Sequence, residues 1–181
     1  MRITSGEHKG RRISAGNKSK IRPTSDRVKE SIFNILRGEI EGKRVLDIFA
    51  GAGSLGIEAL SQGAESVTFV DSSPQSIKIL KRNLENLNLQ SQAVILRLDG
   101  LKALNRLEPG FHIIFTDPPY LKDYAQKIID SMAKSSVLEI GGILVLEHHK
   151  KEGFISPEDK LLLLKERKFG DTVISIFLKR V

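Results

Sequence analysis

A glycine-rich stretch at residues 45–56, VLDIFAGAGSLG, carries the pattern with the clearest chemical use in this sequence. Its apolar first half is typical of a buried strand, and Gly51 and Gly53 let the backbone turn sharply and let a ligand touch it. The residues that follow open a helix, whose unpaired N–H groups attract negative charge. The stretch therefore predicts a site for a carboxylate or a phosphate. The spacing up to Gly56 is not decisive by itself, because small residues also occur where a helix packs close against a strand.

Four successive predicted strands each carry an aspartate near the carboxyl end, namely Asp47, Asp71, Asp99 and Asp117. In open α/β sheets ligands bind beyond these strand ends, so the residues there form one candidate site. A single aspartate in such a position is commonly a turn or helix-cap residue. Four in the same register favour a shared ligand site, to which the neighbouring Phe49, Ala50 and Ser72 are also assigned.

The spacing between Gly51 and Asp71 predicts a nucleoside cofactor. Asp71 follows by 20 residues, the separation at which an acidic side chain can accept hydrogen bonds from ribose hydroxyls. Two classes compete: a dinucleotide whose pyrophosphate rests on the glycine loop, and S-adenosylmethionine, whose methionine end lies there instead. Asp47 favours S-adenosylmethionine, because a carboxylate at the mouth of the loop would repel a pyrophosphate and attract an ammonium and a sulfonium. Asp99 is expected near the adenine.

The turn Asp117-Pro118-Pro119-Tyr120 indicates the reaction. Proline has no N–H, so the turn offers the Asp117 carboxylate and backbone carbonyls as acceptors with few competing donors. Hydrogen bonds from a nucleobase amine to Asp117 and the Pro118 carbonyl would favour the sp³ nitrogen that attacks a methyl sulfonium, with Tyr120 stacked on the base. Asp117 either takes the proton of the methylated amine or only orients it. A plain helix-initiating turn is the alternative.

The elements that must position these residues alternate regularly from residue 44 onward. The predicted strands are residues 44–48, 66–70, 94–98, 112–116 and 143–147, and the predicted helices are residues 55–61, 73–87, 101–107 and 122–133. This alternation is typical of a doubly wound α/β fold, a Rossmann-like and mostly parallel twisted sheet. Residues 161–168 and 172–179 flank a Gly170-Asp171 turn and predict an antiparallel hairpin at one sheet edge.

The basic residues are concentrated at the amino-terminal end. Residues 1–29 hold nine Lys or Arg against two acidic residues, whereas the remaining 20 basic and 20 acidic residues balance, so this segment accounts for the net charge of +7. A basic excess confined to one segment indicates a polyanion-binding element, although a solvated tail would have the same composition. We therefore expect a basic extension with a small hairpin at residues 1–23, followed by the enzyme domain at residues 24–181.

The composition and the sequence pattern exclude several classes of protein and of binding site. A chain of 181 residues without cysteine predicts one domain, with neither disulfides nor thiolate metal sites. The polar amino-terminal sequence does not match a secretory signal, and no run reaches the 18 apolar residues of a membrane span. His148 and His149 point in opposite directions on a strand and lack an obvious third ligand, so we expect surface residues and no metal. The sequence predicts a cytoplasmic protein, expected to be a monomer.

Several stretches together resemble one family, the bacterial 16S ribosomal RNA guanine-N2 methyltransferases of the RsmD type. They are Arg2-Ile3 with Lys9-Gly10-Arg11, RPTSDRVKESIFNIL (residues 22–36), LDIFAGAGSLGIEALSQGA (46–64), VDSSP (70–74), DPPY (117–120) and KFGDTVISIF (168–177). The glycine loop and DPPY are shared with many methyltransferases, and RPTSDRVKES is more specific. The resemblance spans nearly the whole chain. It implies a methyltransferase fold, S-adenosylmethionine as donor, and transfer to the 2-amino group of one guanine in small-subunit rRNA, either free or in an assembling 30S particle.

An enzyme that acts on such an RNA would need to bind the phosphates around the target guanine. The 2-amino group of guanine takes part in base pairing, so the enzyme must use an exposed loop or flip the base out. The expected phosphate contacts are Arg2, Lys9, Arg11, Arg12, Arg22 and Arg27. Two alternatives stay open: an N6-adenine or N4-cytosine DNA methyltransferase with the same motifs, and a non-catalytic RNA-binding module that keeps a nucleoside site.

Overall fold

The computed structural model describes residues 1–16, 26–120 and 123–181. The strands in these ranges are β1 (Arg44–Ile48), β2 (Ser66–Asp71), β3 (Ala93–Arg97), β4 (Phe111–Thr116), β5 (Leu138–His149), β6 (Leu161–Phe169) and β7 (Thr172–Lys179). They form one sheet in the order β3-β2-β1-β4-β5-β7-β6. The first five strands are parallel, and β7 lies antiparallel between β5 and β6. The predicted α/β fold with an antiparallel hairpin at one edge is confirmed.

Helices cover both faces of the sheet. They are α1 (Asp26–Ile35), α2 (Ser54–Ser61), α3 (Pro74–Leu87), α4 (Gly100–Leu104) and α5 (Tyr124–Lys134). Alternate strand residues point to opposite faces, so Val45 packs in the cluster with α1, α2 and α3, and its neighbour Leu46 packs in the cluster with α4 and α5. Two apolar layers therefore enclose the parallel strands, which explains their continuously apolar sequences. No helix in the described ranges has both the length and the apolar character that a membrane span needs.

The predicted elements agree with the observed ones to within a few residues, except at the start of β5. The sequence predicts a strand at residues 143–147, whereas β5 begins at Leu138. Leu138 pairs with Phe111 of β4 ahead of a register shift, and the two glycines at residues 141–142 interrupt the apolar pattern there. Pairing with β4 therefore extends β5 toward its amino-terminal end, beyond the point where its sequence pattern predicts the strand to begin. The predicted start of α5 at residue 122 lies outside the described residues.

The amino-terminal hairpin is part of the packed core. Its strands meet at an antiparallel bridge between Arg2 and Arg12, and the Ile3 N–H donates to the Arg11 carbonyl at 3.0 Å. Ile3 and Ile13 are buried against the cluster beneath α1 and α2, whereas both bridging arginines are exposed. The hairpin thus buries one face and presents two cations on the other. The domain boundary expected at residues 23 and 24 lies outside the described residues.

A buried ion pair fixes this hairpin to the domain. Lys29 on α1 and Glu58 on α2 are both fully buried, with 3.1 Å between Nζ and Oε2. The Glu58 carboxylate also accepts hydrogen bonds from the backbone N–H groups of Thr4 at 3.0 Å and Ser5 at 2.8 Å. Lys29 in turn donates to the Arg2 carbonyl. Lys29, which contributes to the basic excess of the amino-terminal segment, therefore faces the core and not the solvent.

Candidate active site

The glycine loop and the DPPY turn lie side by side at the point where the strand order reverses. The chain moves outward from β1 through β2 to β3 and then crosses back to β4 on the other side of β1. In open α/β sheets the ligand crevice forms at such a switch point, beyond the carboxyl ends of the strands. Ile48 at the end of β1 is the register partner of Thr116 at the end of β4. The fold therefore brings together the two motifs predicted to form the site.

Asp71 anchors the glycine loop through its carboxylate. The Gly51 N–H donates to Asp71 Oδ2 at 2.8 Å, and the Ser73 N–H donates to Oδ1 at 2.7 Å. Gly51 has a φ of 57°, in the left-handed region that favours glycine. A Cβ at this position would have only the Phe49 carbonyl oxygen near it, at 4.0 Å. The space above Gly51 is thus open to a ligand, while Asp71 fixes the loop from the side of β2.

The other glycines around the loop are explained by packing. A Cβ at Gly53 would lie 2.4 Å from a side-chain carbon of α3, and a Cβ at Gly56 would lie 2.2 Å from Phe69 Cε1. The third glycine of the pattern therefore lets α2 pack against β2, which is the alternative explanation of small residues at such a turn. Gly100 at the start of α4, to which the sequence pattern gave no role, is required for the same reason. Its Cβ would lie 2.5 Å from Phe49 Cζ.

Phe49 has a strained backbone at the end of β1. Its φ is 62°, which is uncommon for a residue other than glycine, and such strain is concentrated at ligand sites. Its half-buried ring packs edge-on against Tyr124 of α5, with 5.4 Å between the ring centroids. The next residue, Ala50, donates its N–H to the Val70 carbonyl at 3.0 Å. Phe49 and Ala50 therefore form the first part of the loop, as expected from the sequence.

Asp47 lies beneath the loop and not at its mouth. It is only 2% exposed, and its Oδ2 accepts a hydrogen bond from the Gly56 N–H of α2 at 2.9 Å. Burial raises the pKa of Asp47 to about 7; the hydrogen bond from Gly56 opposes this rise, and the charge of Asp71 adds to it. Asp47 and Asp71 thus place acidic groups on two sides of the same loop, and a cation near the loop would favour the ionised form of Asp47.

Ser72 and Asp99 also lie just beyond the carboxyl ends of parallel strands, β2 and β3. Asp99 is the N-cap of α4, and its Oδ1 accepts a hydrogen bond from the Lys102 N–H at 3.1 Å. The capping role that the sequence left open for each aspartate is therefore observed here. Ser72 is exposed directly after Asp71. Contacts of Asp99 with an adenine and of Asp71 with a ribose stay predictions.

The DPPY turn projects Tyr120 onto the neighbouring strands. Asp117 is half-buried, Pro118 is buried and Pro119 is exposed. Tyr120 Oη donates to Glu147 Oε1 at 2.6 Å and lies 2.9 Å from Thr172 Oγ1. Burial raises the pKa of Tyr120, and the nearby charges of Glu147 and, less strongly, Asp117 raise it further. The phenol is therefore neutral at physiological pH and its ring is held in one orientation.

Glu147 and Thr172 are site residues that sequence reasoning missed. Glu147 is 5% exposed at the end of β5, and Thr172 begins β7. The signal for Glu147 was present, because it is a fifth acidic residue near the carboxyl end of a predicted parallel strand. Nothing in the sequence pairs Thr172 with Tyr120, because their contact depends on β7 lying antiparallel beside β5, where Thr172 is the partner of His149.

His148 corrects the expectation that both histidines are surface residues. It is 4% exposed, its Nε2 lies 2.9 Å from Ser175 Oγ, and burial lowers its pKa. His148 lies on the same face of β5 as the buried Leu144 and Leu146, and there Phe154 packs edge-on against its ring, with 5.1 Å between ring centroids. His149 points the other way and packs edge-on against Tyr120, with 5.7 Å between ring centroids. Within the described ranges, no three His, Asp or Glu residues converge as metal ligands do.

The predicted RNA contacts occupy several environments. Arg2, Lys9, Arg12 and Arg27 are exposed. The Arg11 guanidinium is engaged, because it donates to the Asn86 carbonyl near the end of α3 at 2.5 Å and contacts His8 Nδ1 at 3.1 Å. Arg22 lies outside the described residues. The structure therefore leaves most of these cations facing solvent, and their contact with RNA stays a prediction.

A family model and individual relatives of known sequence agree on one family for this chain. The family model described as "Conserved hypothetical protein 95" matches residues 1–178. The chain is 39% identical to "Putative rRNA methyltransferase YlbH" of Bacillus subtilis, over 99% of this chain and all of that protein. It is 37% identical to "Ribosomal RNA small subunit methyltransferase D" of Haemophilus influenzae, over 94% of this chain and 89% of the relative.

A solved structure has the same architecture. The protein titled "Putative methyltransferase yhhF from Escherichia coli" superimposes with a TM-score of 0.90 and 26% identity, covering 99% of this chain and 98% of the other. The aligned residues therefore include nearly the whole of both chains. The chain is therefore a methyltransferase that belongs to the conserved hypothetical protein 95 family, of RsmD type.

Proposed function

We propose that this enzyme transfers a methyl group from S-adenosylmethionine to the exocyclic 2-amino group of a guanine in 16S rRNA, either free or in an assembling 30S particle. It would work in the cytoplasm as a monomer. The observation that carries this proposal is the DPPY turn, which follows β4 directly beside the glycine loop that follows β1. An acceptor-rich turn next to a nucleoside site suits transfer to an amine. The name of the Haemophilus influenzae relative supports small-subunit rRNA as the substrate.

The residues around the loop fit S-adenosylmethionine better than a dinucleotide. The space above Gly51 is open, and the carboxyl groups of Asp47 and Asp71, which bond to α2 and to the loop, form no ion pair with any Lys or Arg in the described ranges. A pyrophosphate would add negative charge to this acidic pair, whereas an ammonium and a sulfonium would neutralise it. Asp71 would hold the ribose, because each carboxylate oxygen can accept a second hydrogen bond. Asp99 and Ser72 would flank the adenosine.

The chain's own residues would then perform three tasks. When bound, S-adenosylmethionine supplies a methyl group on a positively charged sulfur. Asp117 and the Pro118 carbonyl accept hydrogen bonds from the guanine amine and favour the sp³ nitrogen, whose lone pair forms the new N–C bond as the C–S bond breaks onto sulfur. Asp117 either takes the proton that the amine then releases or orients the amine while solvent takes it. Tyr120, fixed by Glu147 and Thr172, stacks on the base.

The exposed face of the amino-terminal hairpin would bind phosphates of the RNA. Arg2 and Arg12 stand directly opposite each other across the hairpin, and like charges in this arrangement repel. A phosphate between them would relieve that repulsion and form charge-assisted hydrogen bonds. Lys9 at the hairpin turn and Arg27 on α1 extend the positive surface. Arg11 would contribute through its charge while it remains bound to α3.

The proposal is tested by methyl transfer from radiolabelled S-adenosylmethionine to naked 16S rRNA, assembled 30S particles or duplex DNA. Mass spectrometry of the digested product should identify N2-methylguanosine, and only in the RNA substrates. Asp117→Ala should lower the transfer rate by about 10²- to 10⁴-fold and leave cofactor affinity nearly unchanged, because the lost contact is made to the amine. Asp159→Ala, at an exposed site remote from the crevice, is the matched control.

Each alternative gives a different result. Methylated adenine or cytosine in DNA would replace the proposal with a DNA methyltransferase. Binding of RNA and cofactor without any methylated nucleoside would indicate a non-catalytic module. Wild-type turnover in Asp117→Ala would remove Asp117 from the mechanism.

A further inference from the structure

A second concave surface lies between α1 and the edge strand β6. It is a groove of about 450 Å³, and it is distinct from the crevice beside the glycine loop. Arg27 and Asn34 line it from α1, and Lys165, Arg167 and Phe169 line it from β6. Lys165 and Arg167 lie two residues apart on a strand, so they point to the same face of the sheet, which is the face that α1 covers. The sequence pattern assigned no role to Lys165, Arg167 or Phe169.

The groove combines cations with an aromatic ring. Its side chains include three cations, Arg27, Lys165 and Arg167, and one acidic group, Glu30. None of the three cations forms an ion pair or a hydrogen bond with a residue that the structure describes. Phe169 is half-buried at the end of β6, where it packs against the core and also lines the groove. A positively charged groove with an aromatic side chain is the arrangement that binds single-stranded nucleic acid, because cations contact the backbone and bases stack on the ring.

Strand pairing connects this groove to the DPPY turn. Phe169 is the register partner of Thr172, and Thr172 is the register partner of His149 at the end of β5. The Thr172 hydroxyl lies 2.9 Å from Tyr120 Oη. Phe169 is therefore only one strand away from the residue that touches Tyr120, a separation of about 5 Å between strands. The aromatic end of the groove is the end nearest the DPPY turn, and the cations continue away from it along β6.

We propose that the groove between α1 and β6 binds the single-stranded RNA that flanks the target guanine, with a base on Phe169 and backbone phosphates on Arg27, Lys165 and Arg167. This inference rests on the proposed function for the identity of the substrate. It adds a contact surface along β6, which shares Arg27 with the cations proposed above to extend the positive surface of the amino-terminal hairpin. The flanking strand would leave the crevice past Thr172 and continue down the sheet edge.

The test measures binding of a fluorescein-labelled single-stranded RNA oligonucleotide across a salt series. The double variant Lys165→Gln/Arg167→Gln should reduce the magnitude of the slope of log affinity against log salt by about 1.4, because each lost phosphate contact contributes about 0.7. Phe169→Leu should weaken binding by about 5- to 150-fold and leave the slope unchanged, because stacking does not release counterions. Melting temperature and S-adenosylmethionine affinity should stay at wild-type values in the double variant, because both replaced side chains are exposed.

The matched control is Lys160→Gln/Lys168→Gln. It removes the same charge from residues on or next to β6, but neither side chain lines the groove. Equal slopes for the two double variants would overturn the inference, and so would equal competition by a blunt RNA duplex. Failure of the proposed function is a separate result: wild-type enzyme that leaves 16S rRNA unmethylated would refute that function, while a slope lost only in Lys165→Gln/Arg167→Gln would still support the groove.

Discussion

The amino-terminal hairpin and the glycine loop are both held by buried or half-buried carboxylates that accept backbone N–H groups, but among the residues that the structure describes only the carboxylate at the hairpin has a cationic partner. Glu58 accepts the Thr4 and Ser5 N–H groups and pairs with Lys29. Asp71 accepts the Gly51 and Ser73 N–H groups, yet forms no ion pair in the described ranges. The two regions therefore use the same kind of hydrogen bond, from backbone N–H groups to a carboxylate, and differ in whether that carboxylate has a cationic partner.

The difference separates a structural contact from a site that is prepared for a ligand. A buried charge needs a partner, and where the protein supplies it, as with Lys29, the result is a fixed junction. At the loop Asp47, which has no Lys or Arg partner among the described residues, responds to burial with a pKa of about 7, and a cationic ligand would stabilise its ionised form. We therefore expect that removing Glu58 affects mainly folding and that removing the loop carboxylates affects mainly cofactor binding.

The largest expected effect is on folding at the hairpin. Glu58→Gln removes the buried counter-ion of Lys29 and leaves only the half-exposed Asp26 carboxylate, 4.0 Å away, which should lower the free energy of unfolding by about 3 to 5 kcal/mol. Urea denaturation measures this loss. Glu7→Gln is the matched control, because Glu7 is exposed on the same hairpin and its replacement should change stability by less than about 0.5 kcal/mol. Equal effects of the two variants would show that the buried pair does not fix the hairpin.

The next effect concerns the pH dependence of stability. The pKa of Asp47 is about 7 in the folded protein, against 3.8 for an aspartate in an unfolded chain. Between these two values the folded chain binds more protons than the unfolded chain, so ionisation of Asp47 costs stability as the pH rises from about 4 to about 7. The cost reaches roughly 4 kcal/mol, at about 1.36 kcal/mol for each unit of pKa shift.

Asp47→Asn should remove this contribution. The measurement is the difference in unfolding free energy between wild type and variant at pH 4, 5, 6, 7 and 8. This difference should change in favour of the variant up to about pH 7 and stay constant above it. Asp159→Asn, an exposed carboxyl, should follow the wild type throughout. A difference that does not vary with pH would contradict the raised pKa of Asp47.

The smallest effect concerns the orientation of Tyr120. Thr172→Val keeps the shape of the side chain and removes one hydrogen-bond partner of the phenol. Loss of one such bond, of about 0.5 to 1.5 kcal/mol, should lower the rate of methyl transfer about 2- to 12-fold. Cofactor affinity should not change. If affinity for S-adenosylmethionine falls in parallel with the rate, Thr172 acts on the loop and not through Tyr120.

The sequence predicts most of the fold because its strands are covered on both faces and read as separate apolar runs. It also predicts the glycine loop and the DPPY turn, whose function depends on local backbone chemistry. It misses features that depend on which strands become neighbours. The contacts of Tyr120 with Thr172 and of His148 with Ser175 both follow from the insertion of β7 beside β5. The burial of Lys29 depends in the same way on packing between α1 and α2.

The most direct test of the central claim is calorimetric titration of the wild type, Asp71→Ala and Glu58→Gln with S-adenosylmethionine, with NADH as the competing cofactor class. We expect the wild type to bind S-adenosylmethionine and not NADH. Asp71→Ala should lose about 10- to 150-fold in affinity, because a charge-assisted contact of about 1.5 to 3 kcal/mol is removed. Folded Glu58→Gln should bind as the wild type does. Binding of NADH, or unchanged affinity in folded Asp71→Ala, would contradict the assignment of the loop as a site for a cationic nucleoside.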